Sequence, residues 1–187
     1  MNFFKPEFSK KAYIADFAVY LVTPILICGV LWHFEPHGDW PGILVAIAIG
    51  FVCWTLLEYA LHRFVLHGLE PFTQWHAQHH LRPHALIGTP TVLSLSLILV
   101  FIFLPALFIE NVWLSAGLTL GVLIGYAVYS VTHHALHHWR AHTRWLKRRK
   151  QLHAIHHHAR SACAFGVITS FWDRVFGTCA DESARFD

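Results

Sequence analysis

The stretch 42–61 reads GILVAIAIGFVCWTLLEYAL, and the residues HRFVLH follow it directly at 62–67. Its 20 residues carry Glu58 as their single charged side chain. A stretch of this length and composition crosses the hydrocarbon core of a bilayer as one helix. Two histidines, His62 and His67, come immediately after it. The sequence therefore places a metal-binding residue type at the end of a membrane helix.

Three further apolar stretches have a similar length, and the whole chain has the composition of a membrane protein. Hydrophobic residues make up 55% of it and charged residues 13%, whereas a soluble domain carries about 25% charge. We predict an all-α integral membrane protein that forms a single domain over 1–187. The predicted transmembrane helices are about 17–34, 42–61, 91–109 and 112–131.

The basic residues indicate the orientation of these helices. All 14 Lys and Arg residues lie in 1–16, 62–90 and 132–187, and the segments 35–41 and 110–111 contain none. Cytosolic loops of membrane proteins carry an excess of Lys and Arg. We therefore predict a multi-pass protein with both termini and the histidine clusters on the cytosolic side. The membrane would be the cell inner membrane in a bacterium or the endoplasmic reticulum in a eukaryote.

A basic segment with tryptophans separates the last apolar stretch from the last histidines. Trp139 and Trp145 stand beside Arg140, Arg144 and the run KRRK at 147–150. Next to a transmembrane helix, such a segment favours contact with anionic lipid headgroups over nucleic acid. We predict an interfacial helix over 135–152, and no nucleic-acid partner.

Histidine is the most unusual feature of the composition. The chain has 17 histidines, and all except His33 and His37 lie in 62–84 or 133–158. They form the groups His62-x4-His67, His76-x2-His79-His80, His133-x3-His137 and His153-x2-His156-His157. Residues at i, i+3 and i+4 share one face of a helix, so the second and fourth groups each project three imidazoles in one direction. The first group, spaced by five, is less aligned and is expected to lie at a helix end.

Ten imidazoles on one side of a membrane indicate metal binding. Neutral imidazole is a common ligand of iron, zinc, copper and nickel, and ten imidazoles exceed what one ion accepts. We therefore predict two metal ions and no catalytic residue beyond their ligands. The candidate ligands are His62, His67, His76, His79, His80, His133, His137, His153, His156 and His157. Glu58, Glu70 and Asp173 are the nearest carboxylates in sequence. The remaining histidines of the cytosolic segments are interpreted as interfacial side chains; they are His84, His134, His138, His142 and His158. His33 and His37 are interpreted as solvated loop residues.

Several segments together resemble a known family. They are EYALHRFVLH at 58–67, His76–His80 followed by Pro83, THHALHH at 132–138, His153–His157 and FGVITSFWDRVFGT at 165–178. These motifs are similar to those of the fatty acid hydroxylase/sterol desaturase superfamily, closest to its fatty acid (ceramide) 2-hydroxylases. The resemblance covers about 50–180. It implies a four-span fold with a cytosolic cap, ten histidines around two metals, and electrons delivered by a redox partner.

The resemblance also implies an activity. We expect an oxidoreductase, a non-heme dinuclear-metal monooxygenase that uses O2 to hydroxylate lipid acyl chains at carbon 2 in lipid biosynthesis. Iron is the expected metal because zinc has no redox chemistry, although zinc can replace iron in a purified protein. No heme motif precedes the first span, so a separate electron donor of cytochrome b5 or ferredoxin type, with its reductase, is expected. The loop between His67 and His76 is shorter than in the eukaryotic enzymes.

Alternative functions remain open within the superfamily. Carotenoid ring hydroxylases share the spacings His62-x4-His67, His76-x3-His80 and His153-x2-His156-His157, and sterol desaturases typically have a shorter first box. From a different class, a membrane metal-binding or transport protein would need ionisable residues near the middle of the membrane, and the four spans contain almost none. The sequence therefore favours an enzyme.

Overall fold

The computed structural model describes residues 7–34, 38–158 and 163–179. Within these ranges the chain is helical and contains no β-strand, only an isolated bridge between Glu7 and Ile87. The prediction of an all-α protein is therefore confirmed.

The helices follow one another with short connections. They are α1 (Lys10–Phe34), α2 (Trp40–Ala60), a π-helical segment (Leu61–Leu66), α3 (Phe72–Leu81), α4 (Thr91–Ile98), a second π-helical segment (Leu99–Phe103), α5 (Leu104–Leu107), α6 (Val112–His138), α7 (Arg144–His158) and α8 (Phe171–Val175).

Three of these helices are long and apolar enough to cross a membrane, namely Lys10–Phe34, Trp40–Leu66 and Val112–His138. The apolar helix at the predicted span 91–109 is shorter, running from Thr91 to Leu107. Its π-helical segment ends two residues before Pro105, and the N–H of Leu104 bonds to the carbonyl of Leu99. Proline has no N–H to donate, so this helix departs from regular α-helical bonding near its end.

The chain divides into two compact units. One comprises Met1–Trp54 and Leu86–Val128, and the other comprises Thr55–Ala85 and Tyr129–Asp187. All ten candidate metal ligands belong to the second unit. The prediction of a single domain stays a prediction.

In the first unit, α2 and α6 pack closely through glycines. A Cβ atom on Gly50 would lie 2.1 Å from the carbonyl oxygen of Leu118, and one on Gly121 would lie 2.1 Å from that of Ile47. Small residues allow such close backbone approach between membrane helices. Leu31, Ile43 and Leu120 form the buried apolar core beside this contact.

The predicted helix over 135–152 is interrupted. Helix α6 ends at His138 and α7 begins at Arg144. The hydroxyl of Thr143 accepts a hydrogen bond from the N–H of Leu146 at 3.2 Å, which is the bond of a helix N-cap. The prediction of one continuous helix was therefore wrong, because Thr143 starts a new helix within the basic segment.

Candidate metal centre

His62 and His67 are brought together by a π-helical turn. In an α-helix, residues five apart point about 140° away from each other, whereas a π-helix bonds residue i to residue i+5. Leu61–Leu66 is π-helical, and His67 caps its end. The two imidazole rings have centroids 5.4 Å apart. The five-residue spacing therefore places both histidines at one site.

Helices α3 and α7 each present an i, i+4 pair of histidines. The Nε2 atoms of His76 and His80 are 2.9 Å apart on α3, and those of His153 and His157 are 3.1 Å apart on α7. The remaining histidine of each triplet, His79 or His156, is buried and does not join the pair on its own helix.

The ten candidate histidines form two groups, hereafter the first and the second group. Within each group, one ligand atom from each of four histidines lies within 4.8 Å of the other three. In the first group these four are His62, His67, His76 and His156. In the second group they are His79, His133, His137 and His153. His80 adds to the first group through its contact with His76, and His157 adds to the second through His153. Each triplet thus gives its i, i+4 pair to one group and its middle histidine to the other.

The distances within each group suit a shared metal ion. Two nitrogens bound to one ion at about 2.0–2.1 Å are roughly 2.8–3.4 Å apart when they are adjacent ligands. In the first group the Nε2 atoms of His62 and His76 are 3.0 Å apart, and those of His67 and His156 are 3.2 Å apart. In the second group the Nε2 atoms of His153 and His137 are 2.8 Å apart. The donor sets therefore fit two metal ions.

Two backbone carbonyls fix the ring orientation in the first group. The Nδ1 of His62 lies 2.6 Å from the carbonyl oxygen of Phe165, and the Nδ1 of His156 lies 2.7 Å from that of Cys163. A carbonyl only accepts, so both Nδ1 atoms donate, and both Nε2 atoms carry lone pairs directed into the group. Converging lone pairs repel each other unless a cation lies between them, which further supports a metal ion here.

The histidines of α3 and α7 are held in the neutral form that binds metals. Burial, followed by neighbouring imidazoles, lowers the pKa of His79 to about 2. Burial likewise lowers the pKa of His80 to about 4 and those of His156 and His157 to about 3. These side chains are therefore uncharged at neutral pH, with a lone pair available to an ion.

Two buried carboxylates hold the segment 163–168, which supplies the carbonyls. Oδ1 of Asp173 accepts the N–H of Phe165 at 2.8 Å, and its Oδ2 accepts that of Gly166 at 3.0 Å. Oε1 of Glu58 accepts the N–H groups of Val167 and Ile168. Glu58 and Asp173 thus bind backbone, whereas Glu70 is exposed.

A buried arginine also contacts this segment. Arg149, on α7, donates to the carbonyl of Gly166 at 3.4 Å and to the hydroxyl of Ser170 at 2.9 Å. The same helix carries three of the candidate ligands. Arg149 therefore ties α7 to the segment that orients His62 and His156.

The sequence did not indicate the role of the segment 163–168. Backbone carbonyls leave no signature in a sequence, so those of Cys163 and Phe165 were missed. One available signal was Glu58, because an ionisable residue inside an apolar span usually has a function. Of the remaining histidines, His138 stacks on His134 and meets His84 edge-on, outside both groups.

The profile of the fatty acid hydroxylase family matches residues 47–178. This match covers more than half of the chain and includes every histidine of the two groups. The chain belongs to the fatty acid hydroxylase family.

Individual relatives of this family member carry more specific names. It is 33% identical to the dihydroceramide fatty acyl 2-hydroxylase FAH2 of Arabidopsis thaliana over 82% of this chain and 68% of that protein. It is also 33% identical to the fatty acid 2-hydroxylase of Rattus norvegicus, over 80% of this chain. The match covers only 42% of the rat protein, so this chain corresponds to less than half of that relative.

A solved structure shares the fold. It is described as full-length scs7p with only the hydroxylase domain visible, and it superimposes with a TM-score of 0.78 at 25% identity. The match covers 91% of this chain and 67% of that one. The predicted resemblance to fatty acid and ceramide 2-hydroxylases is thus confirmed, and with it the prediction of a hydroxylating oxidoreductase of this family.

Proposed function

We propose that this family member is a membrane-bound, O2-dependent hydroxylase that adds a hydroxyl group to carbon 2 of a lipid acyl chain. The observation that carries the proposal is the pair of five-histidine groups, each with nitrogens spaced for one metal ion. The names of the relatives support the acyl chain as substrate and carbon 2 as the position.

Each group would hold one ion. His62, His67, His76, His80 and His156 would bind the first, and His79, His133, His137, His153 and His157 the second. Iron in these positions would supply the ability to bind and cleave O2, which zinc lacks. Overall, one oxygen atom enters the C–H bond and the other leaves as water, which consumes two electrons and two protons. An external donor of cytochrome b5 or ferredoxin type would supply the electrons.

The histidine side chains contribute position and charge state. Burial keeps His76, His79, His153 and His156 neutral, so no proton must leave before an ion binds. The carbonyls of Cys163 and Phe165 fix two of the rings in the tautomer that binds through Nε2. Such fixed ligands keep the site in one geometry through the reaction.

The helices favour reaction near the polar end of a lipid. His62 follows the apolar span of α2, and His133 and His137 lie in the last turns of α6. Histidines at the ends of membrane helices lie at the depth of the lipid headgroup and the first acyl carbons. Carbon 2 is at that depth, whereas carbons in the middle of the chain lie deeper.

The proposal includes four spans with both termini in the cytosol. The helix Thr91–Leu107 would form the third span, because about 17 residues is the lower limit for crossing hydrocarbon. The distribution of Lys and Arg supports the cytosolic side for the histidine groups.

Comparison of cell lipids tests the proposed function. Lipids would be extracted from cells that express the wild type and from cells that express His156→Ala, together with a compatible reductase. We expect acyl chains heavier by one oxygen atom only with the wild type. Oxidised carotenoids or sterols in place of hydroxylated acyl chains would assign the protein to another branch of the superfamily.

A further inference from the structure

Four consecutive backbone N–H groups, those of residues 165–168, are bound by two buried carboxylates. Asp173 accepts the first two of these N–H groups and Glu58 accepts the last two. Glu58 and Asp173 are only 4% and 1% exposed. A hydrogen bond between buried groups is electrostatically stronger than one that is exposed to water. This part of the chain is therefore fixed from one side.

The carbonyls of the same segment face two metal-ligand candidates. Those of Cys163 and Phe165 accept from His156 and His62. Ala164, between them, has a φ of 55°, a left-handed conformation that an L-residue keeps only when its surroundings impose it. The peptide between Phe165 and Gly166 links Asp173 directly to His62, because the N–H of Gly166 donates to Asp173 and the carbonyl of Phe165 accepts from His62. The peptide between Cys163 and Ala164 donates its N–H to the carbonyl of Thr178, so the carboxylates act on His156 only through the adjoining backbone.

Both of these imidazoles belong to the first group. In the second group, among the residues that the structure describes, His79 makes no hydrogen bond through either ring nitrogen and His157 makes none through Nδ1. Outer hydrogen bonds orient a histidine ligand and raise its basicity. The two groups therefore differ in how firmly their ligands are held.

We propose that Glu58 and Asp173 are positioning residues of the first group, and that this group binds its metal ion more tightly than the second group does. The inference rests on the proposed function, because it requires an ion in each group. Neither carboxylate binds an ion directly; each acts through the segment 163–168.

The two carboxylates call for different substitutions. Oε1 of Glu58 accepts both N–H groups, while Oε2 is buried without a partner in the described part of the chain. The amide oxygen of Glu58→Gln can therefore replace Oε1, whereas Glu58→Ala removes the acceptor. Asp173 uses both oxygens, so the amide N–H of Asp173→Asn would face a backbone N–H. The exposed Glu70 offers Glu70→Ala as a matched control.

The test is chelator titration of the purified, zinc-loaded protein, with zinc per chain as the readout. In the wild type we expect two zinc ions that leave in two steps. Glu58→Ala and Asp173→Asn should weaken the tighter site by roughly 10–100-fold. Glu58→Gln and Glu70→Ala should leave both steps unchanged. Equal losses with Glu58→Gln and Glu58→Ala would overturn the positioning role through an acceptor oxygen.

Single-site backgrounds show which group is affected. His133→Ala leaves the first group intact, and His62→Ala leaves the second. Adding Glu58→Ala should weaken zinc binding in the His133→Ala background and not in the His62→Ala background. An equal effect in both would overturn the proposal, since the carboxylate would then act on the whole fold.

Two further measurements keep the test decisive. If Glu58→Ala fails to fold, as judged by its helix content, the zinc affinities of the single variants His133→Ala and His62→Ala still test the proposal. His133→Ala, which keeps the first group, should bind its remaining zinc ion more tightly than His62→Ala does. The reverse order would overturn the proposal. A wild type that binds fewer than two zinc ions would instead contradict the proposed function itself.

Discussion

His79 shows at the scale of one residue why the histidines call for metal ions. Its side chain is 4% exposed, and neither ring nitrogen has a hydrogen-bond partner among the described residues. A buried polar group without a partner costs about 1–3 kcal/mol. Its ring lies 4.7 Å, centroid to centroid, from each of His133 and His137. An ion shared with these two histidines would compensate that cost.

Replacement of His79 by alanine should remove one metal ion and the activity. We expect zinc or iron to fall from two ions to one per chain, because the second group loses a central ligand while the first keeps its own five. Elemental analysis and a hydroxylation assay on the same preparation measure both effects. His84→Ala, an exposed histidine outside both groups, is the control and should retain two ions. Full activity of His79→Ala would contradict the assignment.

The residue scale also shows how far the sequence could predict the centre. All ten candidate histidines were predicted from residue type and spacing. Eight of them converge directly in the two groups, and His80 and His157 adjoin these through His76 and His153. That all ten bind metal stays a prediction. Their division between the groups could not be predicted, because each triplet on α3 and α7 splits between both. That split depends on the tertiary arrangement of the helices, which spacing along one helix does not contain.

At the scale of single elements, the π-helical segment Leu61–Leu66 has the greatest consequence for the centre. It brings together two histidines that an α-helix would separate. Sequence patterns are read against a period of 3.6 residues, so the five-residue spacing pointed to a helix end and not to a π-helix. The apolar run of α6 likewise ended at 131, whereas the helix continues to His138. Hydropathy indicates only the part of a helix that lies in the hydrocarbon core, whereas the helix itself can extend beyond the membrane.

Gly68 ends this element, and its substitution should damage the first group. A Cβ atom there would lie 2.2 Å from the carbonyl oxygen of Phe64, so Gly68→Ala must move the backbone next to His67. We expect a loss of about 1–3 kcal/mol in stability and weaker binding of one metal ion, measured by thermal unfolding and chelator titration. Gly29→Ala, with nothing within 4 Å, is the control and should gain about 0.5–1 kcal/mol. Equal effects of the two substitutions would contradict this account.

Helices α3 and α7 make the stability of the metal-stripped protein depend on pH. Burial lowers the pKa values of His80, His156 and His157 from 6.5 to about 4, 3 and 3. Between these values and 6.5, the unfolded chain binds more protons than the folded chain. The contribution of these histidines to the free energy of unfolding is therefore fully present above pH 6.5, and it falls as the pH decreases below 6.5.

Thermal unfolding of the stripped protein at pH 8 and pH 5 tests this dependence. We expect a lower midpoint at pH 5. Bound metal should shift the loss to lower pH, because an ion competes with protons for the same nitrogens. A midpoint that rises between pH 8 and pH 5 would contradict the buried, neutral state of these histidines.

At the scale of the whole molecule, composition was sufficient to indicate a helical membrane protein, and three of the four predicted spans form helices of adequate length. The span 91–109 was less accurately predicted, because Pro105 and the π-helical segment before it shorten the regular helix. Hydropathy averages over a window and is insensitive to such local changes in backbone bonding.

The membrane topology of the chain can be measured with reporter fusions. Every Lys and Arg lies in segments that the four-span arrangement places in the cytosol. Reporter fusions after Asp187 and within 35–41 should therefore report opposite sides of the membrane. A third fusion within 82–90 should report the same side as the fusion after Asp187. Identical locations for the fusions at 187 and 35–41 would contradict the four-span arrangement.

The position at which oxygen enters the product is the decisive measurement for the proposed 2-hydroxylase activity. The purified protein, loaded with iron, would be supplied with a reductase system, a long-chain acyl lipid and isotopically labelled O2, and the product would be fragmented to locate the label. We expect one labelled oxygen at carbon 2, and no label with His156→Ala. Label at another carbon of the chain, or a product whose added oxygen comes from water, would contradict it.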